Sequence, residues 1–196
     1  MSCATWFRLF GLSFVLAVVM LAAPGWTQAP EGKKVALLIG VTDYERSSHF
    51  PDLKYTENDV EKLAEILRSP AANFSTVRLL TNTRGKKNAA DAPTAENINK
   101  ALQALVVGRK PRDTVLIALS GHGIELNVPD PDGKRKNKNY SYFCPSDADL
   151  AVKVSYSTGD NKTLLNLEDL FGDLGRCGAG AKLVLIDACR SELKRK

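Results

Sequence analysis

Short apolar runs separated by helical patterns constrain this chain more than anything else in it. Val35-Ala36-Leu37-Leu38-Ile39-Gly40-Val41 is continuously apolar and rich in branched side chains, which suits a strand buried on both faces of a parallel sheet. Thr76 to Thr81, Thr114 to Leu119 and Leu183 to Ile186 read as three further strands. Between them, Thr56 to Arg68 places Val60, Leu63, Ala64, Ile66 and Leu67 at helical spacing among Glu, Asp and Lys, with Thr56 or Asn58 as cap. A second helical pattern opens at Thr94 and runs through Ile98, Ala101, Leu102, Leu105 and Val106, and a third covers Asn166 to Leu174. Strands alternating with helices predict an α/β fold, a three-layer α/β/α sandwich with a mostly parallel sheet. The least structured stretch is expected from Asn127 to Thr163, with a loop rich in Pro, Asp, Gly and Asn from Asn127 to Asn139.

The amino terminus belongs to something else. Arg8 is followed by an uncharged, largely apolar run from Leu9 to Ala23, about 15 residues and short of the roughly 20 a membrane-spanning helix needs. Ala22, Ala23 and Gly25 then offer small residues for cleavage, so residues 1–25 read as a signal peptide, 26–32 as a linker and 33–196 as the domain. The expected location is exported, periplasmic or secreted; the alternative is a membrane anchor made by the same segment. Cys3 precedes the apolar run, so a lipoprotein anchor is not expected.

Losing Arg8 with the leader lowers the formal charge from +5 to +4, too mild to argue for a nucleic-acid partner. Lys134, Arg135, Lys136 and Lys138 bunch in the loop after Asn127, where a solvated surface explains them. Export would put Cys144, Cys177 and Cys189 in an oxidising compartment, where two could pair and one would be left over. These cysteines with His49 and His122 fit no zinc spacing, and no metal site is expected. A dinucleotide-binding domain would explain the alternation, but Gly40-Val41-Thr42-Asp43-Tyr44 lacks the glycine-rich fingerprint.

In open parallel sheets, ligands gather at the carboxyl ends of strands. The third strand leads into Ser120-Gly121-His122-Gly123 and the fourth into Asp187-Ala188-Cys189-Arg190-Ser191, so a His and a Cys leave strand ends at one edge. A neutral imidazole beside a thiol accepts its proton, and the thiolate attacks a carbonyl carbon. The backbone N–H groups of Gly123 and Cys189 are candidates for an oxyanion hole. Taken singly, the Cys reads equally as a small buried hydrophobe and the Gly-His-Gly as a tight turn.

A strand followed by SGHG and a strand followed by DACRS resemble the histidine and cysteine motifs of caspases and, more closely, of bacterial metacaspase-like proteins. The similarity extends from Lys33 to about Arg190 and includes the opening strand and Asn58-Asp59. It implies the caspase-haemoglobinase fold and a cysteine endopeptidase, with His122 as general base and Cys189 as nucleophile. Caspases carry Gln at the place of Asp187, and their His lies about 50 residues upstream of the Cys rather than the 67 found here. The resemblance to metacaspases also implies that Asp187 and Asp59 take a basic side chain of the substrate, giving cleavage after Arg or Lys; Ser120 joins them as a substrate-binding candidate. A carboxylate two residues before the nucleophile would in any case attract arginine and repel aspartate. A structural, paired Asp187 is the plain alternative.

If basic specificity holds, Lys134-Arg135-Lys136 becomes a candidate self-cleavage site. Calcium activates many metacaspases, but Leu165-Asn166-Leu167-Glu168-Asp169 lacks a clear pair of aspartates, so no cofactor is expected. The caspase fold adds two strands beyond the cysteine loop, whereas Ser191 to Lys196 is short and polar, so those strands are expected to be missing and a partner chain could complete the sheet. The alternative function is a catalytically inactive interaction module that binds such a chain by strand addition.

Overall fold

The structure, a computed structural model, describes residues 31–44 and 50–192, the last four in backbone only. The proposed leader, residues 26–30 of the linker and His49 lie outside the described residues. Among the described residues six strands form one sheet: β1 (Lys34–Gly40), β2 (Thr76–Thr81), β3 (Thr114–Val128), β4 (Lys138–Phe143), β5 (Leu165–Asn166) and β6 (Ala181–Glu192). Four helices accompany them: α1 (Thr56–Arg68), α2 (Asn82–Lys87), α3 (Ala95–Val106) and α4 (Leu167–Arg176).

β1 sits between β2 and β3, parallel to both, and β6 is parallel to β3. Only β4 and β5 run antiparallel to their neighbours. The sheet is therefore mixed, with the parallel part built by the four strands the sequence announces.

Alternation along β1 divides the core. Val35, Leu37 and Ile39 join Val115, Ile117 and Leu119 beneath Ile98, Leu102 and Leu105 of α3 and Leu170 and Leu174 of α4. Ala36 and Leu38 join Leu116 and Ala118 against Val60, Ala64 and Leu67 of α1 on the other face. Both faces of the strand are thus dry, which is why its sequence shows no polar alternation. Burial of each Leu or Ile here is worth about 1.5–3 kcal/mol.

The strands that carry the site differ from the sequence expectation: the fourth, expected to end at Ile186, continues as β6 through Asp187 and Cys189 to Glu192. The third strand does not stop at Leu119: it continues through Ser120-Gly121-His122-Gly123 to Val128 and turns back into β4. The stretch from Asn127 to Asn139 is also less open than its composition suggests. The Asp130 carboxylate, 1% exposed, accepts backbone N–H bonds from Lys134 and Arg135 and binds the Arg135 guanidinium at 2.7 Å. Arg135 and Lys138 lie over the Tyr156 ring, at 4.7 and 5.0 Å from its centre, and Tyr156 donates its hydroxyl to the Lys136 carbonyl. Part of the basic cluster is therefore held in place. Among the described residues, no helix is long and apolar enough to cross a membrane.

Candidate active site

β3 changes partner along one edge. Its first half pairs with β1 as far as Gly40↔Ser120, and its second half pairs with β4 from Gly123↔Phe143 onward. β6 runs along the other edge throughout, from Thr114↔Ala181 to Glu125↔Glu192. His122 falls in the gap between β1 and β4.

The main chain there is bonded by what the two strands leave over. Val41 donates to the Ser120 carbonyl and Cys144 to the His122 carbonyl, 3.0 and 2.9 Å. The N–H of His122 has no strand opposite it and donates to the Tyr44 hydroxyl at 2.8 Å. Burial keeps the Tyr44 phenol protonated, well above its usual range.

Tyr44 reaches that position because residue 121 has no side chain. A Cβ on Gly121 would lie 3.0 Å from both the Phe143 ring and the Tyr44 hydroxyl. The glycine that reads as a turn signal is therefore a packing requirement in a continuous strand.

The His122 ring is half-buried against two aromatics, with Phe50 stacked at 5.3 Å and Tyr44 tilted at 5.0 Å between ring centres. Its Nε2 lies 2.8 Å from the Pro51 carbonyl oxygen. A carbonyl only accepts, so Nε2 carries the proton and Nδ1 is left with the lone pair. Sequence reading missed Tyr44 and, beside it, Pro51. Pro51 acts through its backbone, which has no motif.

His122 and Cys189 are Cα partners on adjacent parallel strands. Strand spacing puts their backbones about 5 Å apart. Because the His122 N–H and C=O face the β1–β4 edge, those of Gly123 face β6, the strand that carries Cys189. Pairing continues past Cys189 to Glu192, so this N–H lies within the ladder here.

Gly40, Ser120 and Asp187 form the next row across β1, β3 and β6. A Cβ on Gly40 would come within 2.8 Å of the Thr56 carbonyl, so the first turn of α1 rests on that end of the row. Asp59 lies in this turn, exposed, with Asn58 donating to its carboxylate at 3.4 Å. Asp187 is exposed at the far end, about 10 Å along the row. Between them the Ser120 hydroxyl is buried and has no hydrogen-bond partner among the described residues.

Cys144 and Cys177 are both buried free thiols. Burial pushes the Cys144 thiol up to about 12, which makes it a poor nucleophile.

The caspase domain family matches residues 33–196. The chain belongs to this family. It is 29% identical to Metacaspase-3 of Arabidopsis thaliana over 167 residues, which are 84% of this chain and 44% of that protein. Metacaspase-1 of Debaryomyces hansenii is 34% identical over 93 residues, 47% of this chain and 20% of that one. The chain thus spans less than half the length of these relatives. A crystal structure of a protein from Geobacter sulfurreducens shares the fold, with a TM-score of 0.57 at 21% identity over 82% of this chain and 52% of that chain.

Proposed function

We propose that this caspase-family domain is a cysteine endopeptidase that cleaves after Arg or Lys, with His122 as general base and Cys189 as nucleophile. The observation that carries the reading is the register pairing of His122 with Cys189, beside an imidazole whose Nε2–H is committed to Pro51. Nδ1 takes the thiol proton and the thiolate attacks the substrate carbonyl carbon, forming a C–S bond. The oxyanion is met by the N–H groups of Cys189 and Gly123; β3 and β6 are paired on both sides of the cysteine here, so the Gly123 N–H serves only once β6 separates from β3 beyond it. The imidazolium returns its proton to the departing amine as the C–N bond breaks. Water, deprotonated by His122, then hydrolyses the thioester.

Basic specificity rests on Asp187 and Asp59 flanking one row of the sheet, with Ser120 between them. Two exposed carboxylates there favour a guanidinium or ammonium and repel an aspartate side chain. Export by residues 1–25 is part of the same proposal.

A second reading has its own support. The outer edge of β6 has no partner strand among the described residues, and Leu183, Leu185 and Ile186 on it are 45%, 48% and 39% exposed. An inactive module that accepts a strand from a partner chain would use this edge.

The two readings separate in one assay: hydrolysis of fluorogenic peptides ending in Arg, Lys or Asp, under reducing conditions with and without calcium, by the chain and by Cys189→Ala. Cleavage after Arg or Lys that the substitution abolishes is expected. Cleavage after Asp would overturn the carboxylate pocket, and a folded but inactive chain would favour the binding module.

A further inference from the structure

The amino-terminal ends of β1 and β2 carry a feature that peptidase chemistry does not use. There α3 and the sheet leave a cavity of about 670 Å3, within the range of small-molecule sites. Val35, Ala101, Ala104 and Leu105 supply its apolar lining, and the two alanines leave the space open. Four cations also line it: Lys33, Arg78, Lys100 and Arg109.

These cations are not equivalent. Arg78 is paired with Asp91 at 2.9 Å and donates to the Ala90 carbonyl, and Lys100 is paired with Glu96 at 2.6 Å. Lys33 and Arg109 instead flank one buried carboxylate, Asp113. That group is held below its usual range first by backbone N–H bonds from Lys110 and Lys33, at 2.9 and 2.8 Å, and then by the charges of Arg109 and Lys33. Two cations against one carboxylate leave this end of the cavity positive. The Nε of Arg109 is buried and has no acceptor among the described residues. A buried donor in this state is satisfied by an incoming oxygen, most strongly by a charged one.

We propose that this cavity binds a small amphiphilic anion, an alkyl chain ended by a carboxylate or a phosphate, with its tail against Val35, Ala101, Ala104 and Leu105 and its head at Lys33 and Arg109. The site lies at the opposite end of the strands from His122, about 20 Å away along β1 and β3. It stands or falls independently of the peptidase reading.

Calorimetric titration of the full chain with dodecanoate, dodecyl phosphate and neutral dodecanol, all below micelle-forming concentrations, tests it. Saturable one-to-one binding of an anion is expected. Ala104→Trp fills the cavity from an exposed helix position and should weaken binding at least tenfold; Ala101→Leu serves if that variant melts early. Arg109→Gln should weaken the anions about tenfold and leave dodecanol unchanged. The tighter of the two headgroups identifies the source as fatty acid or phosphoester. Absence of saturable binding, or binding indifferent to both alanine substitutions, overturns the proposal. So does binding lost in Leu183→Gln with Leu185→Gln, which would place it on the edge of β6.

Discussion

Tyr44→Phe isolates the contact that holds the main chain of His122. The ring remains, with its packing against Phe50 and His122, and only the hydroxyl that accepts the His122 N–H is lost. No strand can take over, because β1 has ended and β4 begins beyond this N–H. Leaving a buried donor without an acceptor costs about 1–3 kcal/mol. For a domain of this size, 2 kcal/mol corresponds to a fall in melting temperature of about 4–8 °C. Differential scanning calorimetry of the wild type and Tyr44→Phe reads it directly, and peptide hydrolysis by the same samples should fall further than the lost stability explains, since the imidazole is no longer fixed along its backbone. An unchanged melting temperature would refute the reasoning and mean that water satisfies this N–H. Unchanged turnover at lowered stability would mean that the Pro51 contact alone positions the ring.

Asp130→Asn removes the carboxylate that gathers two backbone N–H groups and Arg135. Limited trypsinolysis should then cut at Lys134, Arg135 or Lys136 several-fold faster than in the wild type, at unchanged trypsin activity. Asp169 is harder to ionise than an ordinary carboxylate, first through desolvation and then through Asp160, Asp173 and Glu168. The folded state therefore holds its proton more tightly than the unfolded chain does, and ionisation destabilises the fold as pH rises above the carboxylate range. Asp169→Asn should raise the melting temperature at pH 7 and lose that advantage as the pH falls toward about 4. Cys144, buried with its thiol pushed up to about 12, should resist a thiol reagent in the native protein at pH 8 and react fully in denaturant.

The parallel half of the sheet was legible because its signal is local. Val35 to Val41 has no wet face, and the observed strand lies within one residue of it; Thr56 to Arg68 and Thr76 to Thr81 coincide with α1 and β2. The extension of β3 was not legible, since Gly121 and Gly123 read as a turn until Tyr44 and Phe143 are seen to occupy the space a side chain would need. β4, with the sequence Lys-Asn-Tyr-Ser-Tyr-Phe, is short, and its polar positions blend into the loop before it. At the site, the neighbourhood of His122 and Cys189 was legible from two adjacent strands, though both residues lie inside β3 and β6 rather than at their ends, whereas the Pro51 carbonyl and the Tyr44 hydroxyl come from a connection whose role only the folded chain reveals. A plain polar loop was expected after Thr81, and α2 stands there instead, capped by the Thr81 side chain.

The segment between β1 and α1 contributes both the hydroxyl that binds the backbone of His122 and the carbonyl that binds its ring. The two contacts are seven residues apart in sequence, within a single connection. His122 is therefore tied to this one connection twice, at its main chain through Tyr44 and at its ring through Pro51, so the connection sets both where the backbone of His122 lies and how its ring is turned.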